Sequence, residues 1–478
     1  MLKVRNEELC MHLYNVTSSA FEKINSIIRE GKTYIPRYFN WPVMSKEFEN
    51  GLPRFSEDSF SEKRPIDYKG FFEGQEKQPQ VKITELDGYN EYEQYAMANT
   101  DLAKKYAPPS GDVNGKVFKV MIQLLFESLV ERYFNLYGFN DTFDLEKFKY
   151  IYIPIENSIY DEELFIDIVV PLLFVKFDFD FLKLNDNTYI ERMDEIMQLS
   201  RTGITEYSVP VNKTALNATT HALVLKKYSF KNDSYWNVFN LLKDERAYPL
   251  DVIDTFVNCI RIALNLETGY TQLIARPDEW CDSYKANLTP IYGTLVRAYP
   301  SKFDKYYWLS PNIPTIKQEQ MQHIGEMFCK IQSEPSQKLK IANQRLKYCY
   351  LRDNEQDAVI DAMIALETLL TDDEKTELNH RISLRMAVLL PLSKEITHAP
   401  IEIFKTVKKI YDYRSAIVHG NPKADNKREI RLEGTSPVPV IEKAIEYLRL
   451  VISIMIENPQ YLKASKIDEE LLLNNSIK

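Results

Sequence analysis

Arg414 and His419 stand five positions apart near the end of the string IEIFKTVKKIYDYRSAIVHG, which runs from Ile401 to Gly420. A guanidinium can neutralise charge developing on a phosphorane, and an imidazole can move protons near neutral pH. Together they are the minimum equipment for cutting RNA without a metal. The nucleophile would be the RNA's own 2′-OH, so DNA would be inert. Placed at about 100° per residue, Phe404, Val407, Ile410, Tyr411, Ile417 and Val418 fall in one arc of about 140°, with Arg414 near its middle. An arginine on an apolar stripe is costly unless it is paired or lines a polar cleft. His419 lies about 140° round the helix and about 7.5 Å up its axis, so the two Cα atoms are about 8–9 Å apart. Both side chains can reach one phosphodiester from there. His419 also falls in the last turn, before a glycine suited to the C′ position, where the helix dipole favours imidazolium.

The spacing by itself is weakly specific. In a chain with six histidines and 20 arginines, about one Arg–His pair with four to six residues between them is expected by chance. Arg5 and His12 form such a pair and read as accidental. For Arg414 and His419 the structural alternative is an arginine paired inside a helical bundle and a histidine closing a helix. Charge adds to the functional side. Between Lys405 and Arg431 there are eight basic and three acidic residues, a local +5 in a chain of net charge -9. Lys405, Lys408, Lys409, Lys423, Lys427 and Arg428 are the candidates for holding a phosphate backbone. A solvated helix face and loop is the competing reading of the same charges.

Other strings carry less. Ser110 to Lys116 (SGDVNGK) resembles a phosphate loop but is one residue short, with no Ser or Thr after the lysine; it reads as a turn before a helix. Asp178 and Asp180 alternate with Phe177, Phe179 and Phe181, which fits a strand with a solvated acidic face better than a metal site. HExxH, GxSxG and EF-hand patterns do not occur. Five scattered cysteines with no CxxC pair point to neither a disulfide framework nor zinc, and to a reducing cytoplasm. No metal or cofactor is expected.

The elements that must position these residues follow from periodicity. Val117 to Tyr137 and Asp251 to Leu266 have helical spacing. Tyr150 to Pro154 and Ile166 to Val170 read as strands, and Phe177 to Met193 as a β-hairpin turning at Asn185-Asp186-Asn187. Helical periodicity dominates from Ile316 to about Tyr461. The fold class is therefore α+β: a mixed N-terminal region with β-hairpins, then an all-α bundle of four or five helices. We divide the 478 residues into an irregular, aromatic-rich region (1–110), a mixed α/β sensor or regulatory region (111–330), the bundle (336–460) and a tail (461–478). The most apolar stretch, Leu164 to Val175, is only about 12 residues long and contains Asp167 and Pro171, too short to span a membrane. With no signal peptide visible, a cytoplasmic protein is expected. The acidic balance excludes a broad nucleic-acid-coating surface but not a small basic cleft, because residues 336–460 carry +1 and the remainder -10.

The order of strings adds a resemblance. Asp357 and Asp361 precede LETLL (Leu366 to Leu370); HRISLRMAVLL (His380 to Leu390) follows, then YDYRSAIVHGN. Over about residues 336–460 this progression is similar to the HEPN superfamily, specifically the ApeA-like HEPN proteins of bacterial anti-phage defence. The string FDFDFLKLNDNTYIERMDE resembles the N-terminal portion that accompanies such domains. The resemblance implies a helical bundle acting as a metal-independent endoribonuclease in abortive infection, with RNA as substrate. It implies a homodimer in which two motifs line one cleft, and control by a phage-derived or cellular trigger. Arg414 would orient the scissile phosphate, His419 would act as base or acid, and Glu367 would pair with Arg414. Ser415 stands where active members often carry Asn, Asp or His. A non-catalytic RNA-binding or protein-interaction scaffold is the alternative.

Overall fold

Aromatic residues build the first of the packing units. The structure, a computed structural model, describes residues 3–31, 33–72, 80–111, 115–139, 142–204, 211–306, 312–333, 336–372, 377–422, 424–431 and 436–474. Helices α1 (Glu7–Glu30), α2 (Tyr89–Ala98), α3 (Thr100–Tyr106), α4 (Lys116–Tyr137) and α5 (Leu145–Tyr160) share one apolar cluster. A long hairpin, β1 (Trp41–Glu47) and β2 (Pro53–Asp58), lies between α1 and α2 in the chain. The helix expected after Val117 is α4, with Phe118, Ile122, Leu125 and Phe126 buried while Val117 and Val120 stay exposed. Gly115 is its N-cap and Lys116 its first residue, which is the turn-before-helix reading; Asp112, Val113 and Asn114 lie outside the described residues.

The strand expected at Tyr150 to Pro154 is instead the middle of α5. Phe148, Ile151, Tyr152, Ile155 and Ile159 are buried at helical spacing, and the Asp144 side chain caps the start by accepting from the Lys147 N–H. Burial of that face outweighs the strand preference of Ile and Tyr.

Six antiparallel strands follow: β3 (Glu163–Pro171), β5 (Phe181–Asn185), β6 (Thr188–Arg192), β7 (His221–Lys231), β8 (Tyr270–Pro277) and β9 (Tyr292–Ala298), in the order β5-β6-β7-β3-β8-β9. Short β4 (Lys176–Phe177) pairs in parallel with β10 (Thr315–Ile316). Hairpin β5–β6 confirms the turn at Asp186-Asn187, with Asn185 opposite Thr188. The Phe177 to Phe181 alternation is not one strand, because the chain bends at Asp178 and Asp180 between β4 and β5. Successive residues alternate between faces as a pleat requires. Ile168, Val170, Leu223 and Leu273 join one core; Val169, Val224 and Ile274 join another with Met197 and Leu295. Helices α6 (Glu195–Arg201) and α7 (Lys213–Leu216) lie between β6 and β7 in the chain, and α8 (Tyr235–Lys243) and α9 (Leu250–Leu264) between β7 and β8. A short α10 (Phe303–Tyr306) follows β9.

Helices α11 (Gln318–Ser333), α12 (Gln337–Leu351), α13 (Glu355–Leu370), α14 (Leu378–Leu389), α15 (Pro400–Val418) and α16 (Val440–Glu457) complete the chain's helical part, with a final short α17 (Ala464–Ile467). Ala362, Met363, Leu366 and Leu369 of α13 are wholly buried, and that helix packs on α12, α14, α15 and α16. One apolar cluster runs from Leu164 on the sheet to Leu471 beyond α17, so the sheet, the helices and the last turns share a core. The chain is thus mixed α/β. No helix among the described residues is long and apolar enough to cross a membrane.

Candidate active site

Helix α15 begins at Pro400, whose fixed φ suits a first helical position, and the Glu402 carboxylate accepts from the Ala399 N–H at 3.2 Å. It ends in a Schellman motif: the Gly420 N–H donates to the Ile417 carbonyl at 3.0 Å and the Asn421 N–H to the Ala416 carbonyl at 2.9 Å. Gly420 has φ +63°, the left-handed conformation expected of a C′ glycine. The C-cap itself is His419, which is exposed.

The buried face of α15 is Ile403, Thr406, Val407, Ile410, Tyr413 and Ala416. Its centre is turned by about 120° from the row Phe404, Tyr411 and Val418 and by about 60° from Arg414. Val418 is 52% exposed. The reason is the neighbour: α15 presses Tyr413 and Ala416 into the shared core, and the chain leaves the helix at Val418. Arg414 consequently sits toward the flank of the buried face rather than at its centre.

Arg414 and Glu367 do meet. Arg414 Nη2 lies 3.7 Å from Glu367 Oε1, with the two side chains 24% and 21% exposed. The guanidinium carbon is 5.7 Å from the centroid of the Tyr411 ring. At 3.7 Å the pair is electrostatic rather than hydrogen-bonded. Arg414 Nε and Glu367 Oε1 are both shielded from water and lack a hydrogen-bond partner. Burial pushes the Glu367 carboxyl above its ordinary value, and the nearby Arg414 charge opposes that rise. The result is an arginine pinned by an acid yet left with unused donors, facing a partly open surface.

His419 is not brought to that point. It is exposed at the helix end, its backbone N–H donates to the Ser415 carbonyl at 3.0 Å, and no hydrogen bond joins its ring to Arg414 among the described residues. Ser415 is half-buried between them in sequence. Lys405, Lys408, Lys409 and Lys427 are all exposed. Lys409 Nζ donates to the Arg431 carbonyl at 3.4 Å, and Lys408 Nζ lies 5.5 Å from the Phe404 ring. Arg428 is engaged by Glu355, which accepts from its Nε at 2.9 Å and its Nη2 at 2.6 Å. Lys423 lies outside the described residues.

A shallow cleft of about 610 Å³ opens beside this site, lined by Glu377, Leu378, Asn379, His380, Lys408 and Tyr411. Tyr411 joins it to Arg414, and His380 packs edge-on to Phe404 at 5.6 Å. Sequence reasoning passed over His380, because a histidine in HRISLRMAVLL has no partner at a telling spacing. Asp361, noted upstream, turns to α12 instead, pairing with Arg345 at 2.5 Å and Arg352 at 3.0 Å. The remaining candidates are structural. Asp178 accepts from the Gln318 N–H at 2.8 Å, Asp180 faces Arg192 at 3.6 Å, and Arg5 pairs with Asp161 at 2.5 Å. Among the described residues no three His, Cys, Asp or Glu side chains cluster as metal ligands.

No protein-family model, curated protein or solved structure matches this chain.

Proposed function

We propose that α12 to α16 act as an HEPN-type, metal-independent endoribonuclease, working as a homodimer in the cytoplasm in abortive infection, with residues 1–330 as a sensor or regulatory region. One observation carries the reading: Arg414 is held by Glu367 with donors to spare, on a helix whose glycine-closed end presents His419 to solvent. In one chain His419 is exposed at the helix end while Arg414 is half-buried against Glu367, with no hydrogen bond between them among the described residues. Each reaction site in this reading pairs Arg414 of one copy with His419 of the other.

The chemistry is transesterification. The 2′-OH attacks the adjacent phosphorus while the bond to the 5′-oxygen breaks, leaving a 2′,3′-cyclic phosphate and a 5′-OH end. His419 takes the proton from the 2′-OH or supplies one to the departing 5′-oxygen. Arg414 stabilises the charge on the non-bridging oxygens, and Glu367 fixes its orientation. Lys405, Lys408 and Lys409 attract the backbone, an effect that falls with salt.

The composite site has a direct test. R414A and H419A chains, each inactive alone, should regain part of the activity when mixed, because heterodimers keep one intact pair. A monomer in sedimentation, or no recovery on mixing, would refute it. A scaffold without catalysis is favoured by one observation, that no hydrogen bond joins His419 to Arg414 within the described chain and His419 stands exposed. It predicts RNA retention with no cleavage in any mixture.

A further inference from the structure

A second cavity lies far along the chain from α15. It measures about 1030 Å³ and opens between the β1–β2 hairpin, the α6 and α7 segments and the stretch before β9. Its walls mix apolar side chains such as Phe55, Leu216 and Leu288 with the cations Arg54, Lys213 and Lys285. Among the described lining residues Glu57 is the one carboxylate, and Lys213 already faces it at 3.6 Å. A positive cavity in a chain of charge -9 is unexpected on composition.

Behind this wall is Arg201, the last residue of α6, at 0% exposure. Three of its five N–H groups are used: Nε donates to Gln198 Oε1 at 2.7 Å, and Nη1 to the Leu216 carbonyl at 2.9 Å and Gln272 Oε1 at 3.0 Å. Nη2 is buried without a partner. The guanidinium carbon stands 5.6 Å from the centroid of the Phe55 ring, which lines the cavity, as do Ser200 and Thr202 on either side in sequence. Asn217 Oδ1, on the same wall, is also buried and unpartnered.

The other buried cations show what is missing. Lys105 pairs with Asp282, Arg449 with Glu395, and Arg261 has Asp254 and Glu267 in its field. Among the described residues no acid pairs with Arg201, and burial pulls its pKa down to about 9. A buried, uncompensated charge is among the most costly features a core can hold. A water molecule could satisfy the two free N–H groups but could not balance the charge. An oxyanion does both.

We propose that this cavity binds a small organic oxyanion, a phosphate or carboxylate on an apolar body, anchored by the Nη2 group of Arg201. The Phe55 ring turns aside to admit it, Lys213, Lys285 and Arg54 attract it, and the apolar wall takes its body. The volume suits a ligand of nucleotide or drug size. The site is independent of the nuclease reading.

Thermal denaturation of the full chain tests it, with phenyl phosphate and phenylacetate titrated separately against sodium chloride. Phenyl phosphate or phenylacetate should raise the wild-type Tm saturably, by about 2–3 °C at a hundredfold excess over its Kd. Whichever acts identifies the anion class. Arg201→Met should abolish the shift. Phe55→Glu keeps Arg201 and its three bonds but places a carboxylate over the guanidinium; it should raise the basal Tm and also abolish the shift. An equal shift in all three proteins would mean surface binding, and no shift with either probe at millimolar concentration would mean no oxyanion site. Either result overturns the proposal.

Discussion

Glu367→Gln removes the charge opposite Arg414 while keeping the side chain's shape, and so asks what the pair is worth. Two unit charges 3.7 Å apart attract by about 4 kcal/mol at an effective dielectric of 20. Desolvation takes back most of that, since roughly three-quarters of each side chain is out of water. No hydrogen bond adds to the attraction, because Glu367 Oε1 and Arg414 Nε are both unpartnered. The expected net coupling is about 1–2 kcal/mol, between exposed pairs at about 0–1 and fully buried ones at about 3–5.

The two single changes should differ. The Glu367 carboxyl is raised above its unfolded value, so the folded chain holds that proton to higher pH than the unfolded one. Its contribution is full below the unfolded pKa and is lost as pH rises through the folded one. Once ionised, Glu367 is therefore a cost that Arg414 offsets. Arg414→Met strands that carboxylate and should destabilise more than Glu367→Gln, with a deficit that grows as pH rises. All four tryptophans precede residue 309, so fluorescence would report on other elements. Hydrogen exchange of α13 and α15 amides reads the bundle itself, across wild type, E367Q, R414M and the double variant. A coupling below about 0.5 kcal/mol, the scatter of independent sites, would refute the claim that Glu367 holds Arg414.

Gly420→Ala should destabilise the end of α15 by about 1 kcal/mol, the cost of the left-handed conformation for a residue with a Cβ. A Cβ there meets nothing within 4 Å, so Gly420→Asn should recover part of the loss; exchange of the last α15 amides measures both. His221 is buried, with its ring nitrogens 2.6 Å from the Phe179 carbonyl and 2.8 Å from Thr220 Oγ1, and burial lowers its pKa. The unfolded chain then binds the extra proton first, so stability should fall as pH drops below about 6.5. Urea melts at pH 7 and pH 5 should show that loss, and His221→Gln should reduce it.

Much of this was legible where local pattern and tertiary burial agree. Hairpin β5–β6, strand β3, helices α4 and α9, and the C′ glycine of α15 each follow from period, turn residues or a cap. Helix α5 was hidden, because Ile and Tyr at 150–153 favour a strand until the Asp144 cap and a buried face are considered together. The Phe177–Phe181 alternation misled for the opposite reason: a bend at Asp178 lets that carboxylate cap α11, a long-range role no local window contains. The Glu367–Arg414 pair was accessible only through the resemblance of the surrounding strings, since 47 positions separate the two. Arg201 had no signature at all; an arginine at the end of a short helix becomes notable only when the described residues around it turn out to hold no acid.

Metal-free RNA cleavage by Arg414 and His419 is decided by incubating single-stranded RNA with purified protein in EDTA, beside R414A and H419A. We predict cleavage that leaves 2′,3′-cyclic phosphate ends, falls by at least about a hundredfold in either variant, and spares the all-deoxy oligonucleotide. Cleavage that EDTA abolishes, that either variant retains, or that never occurs in the wild type would rule out this chemistry for Arg414 and His419.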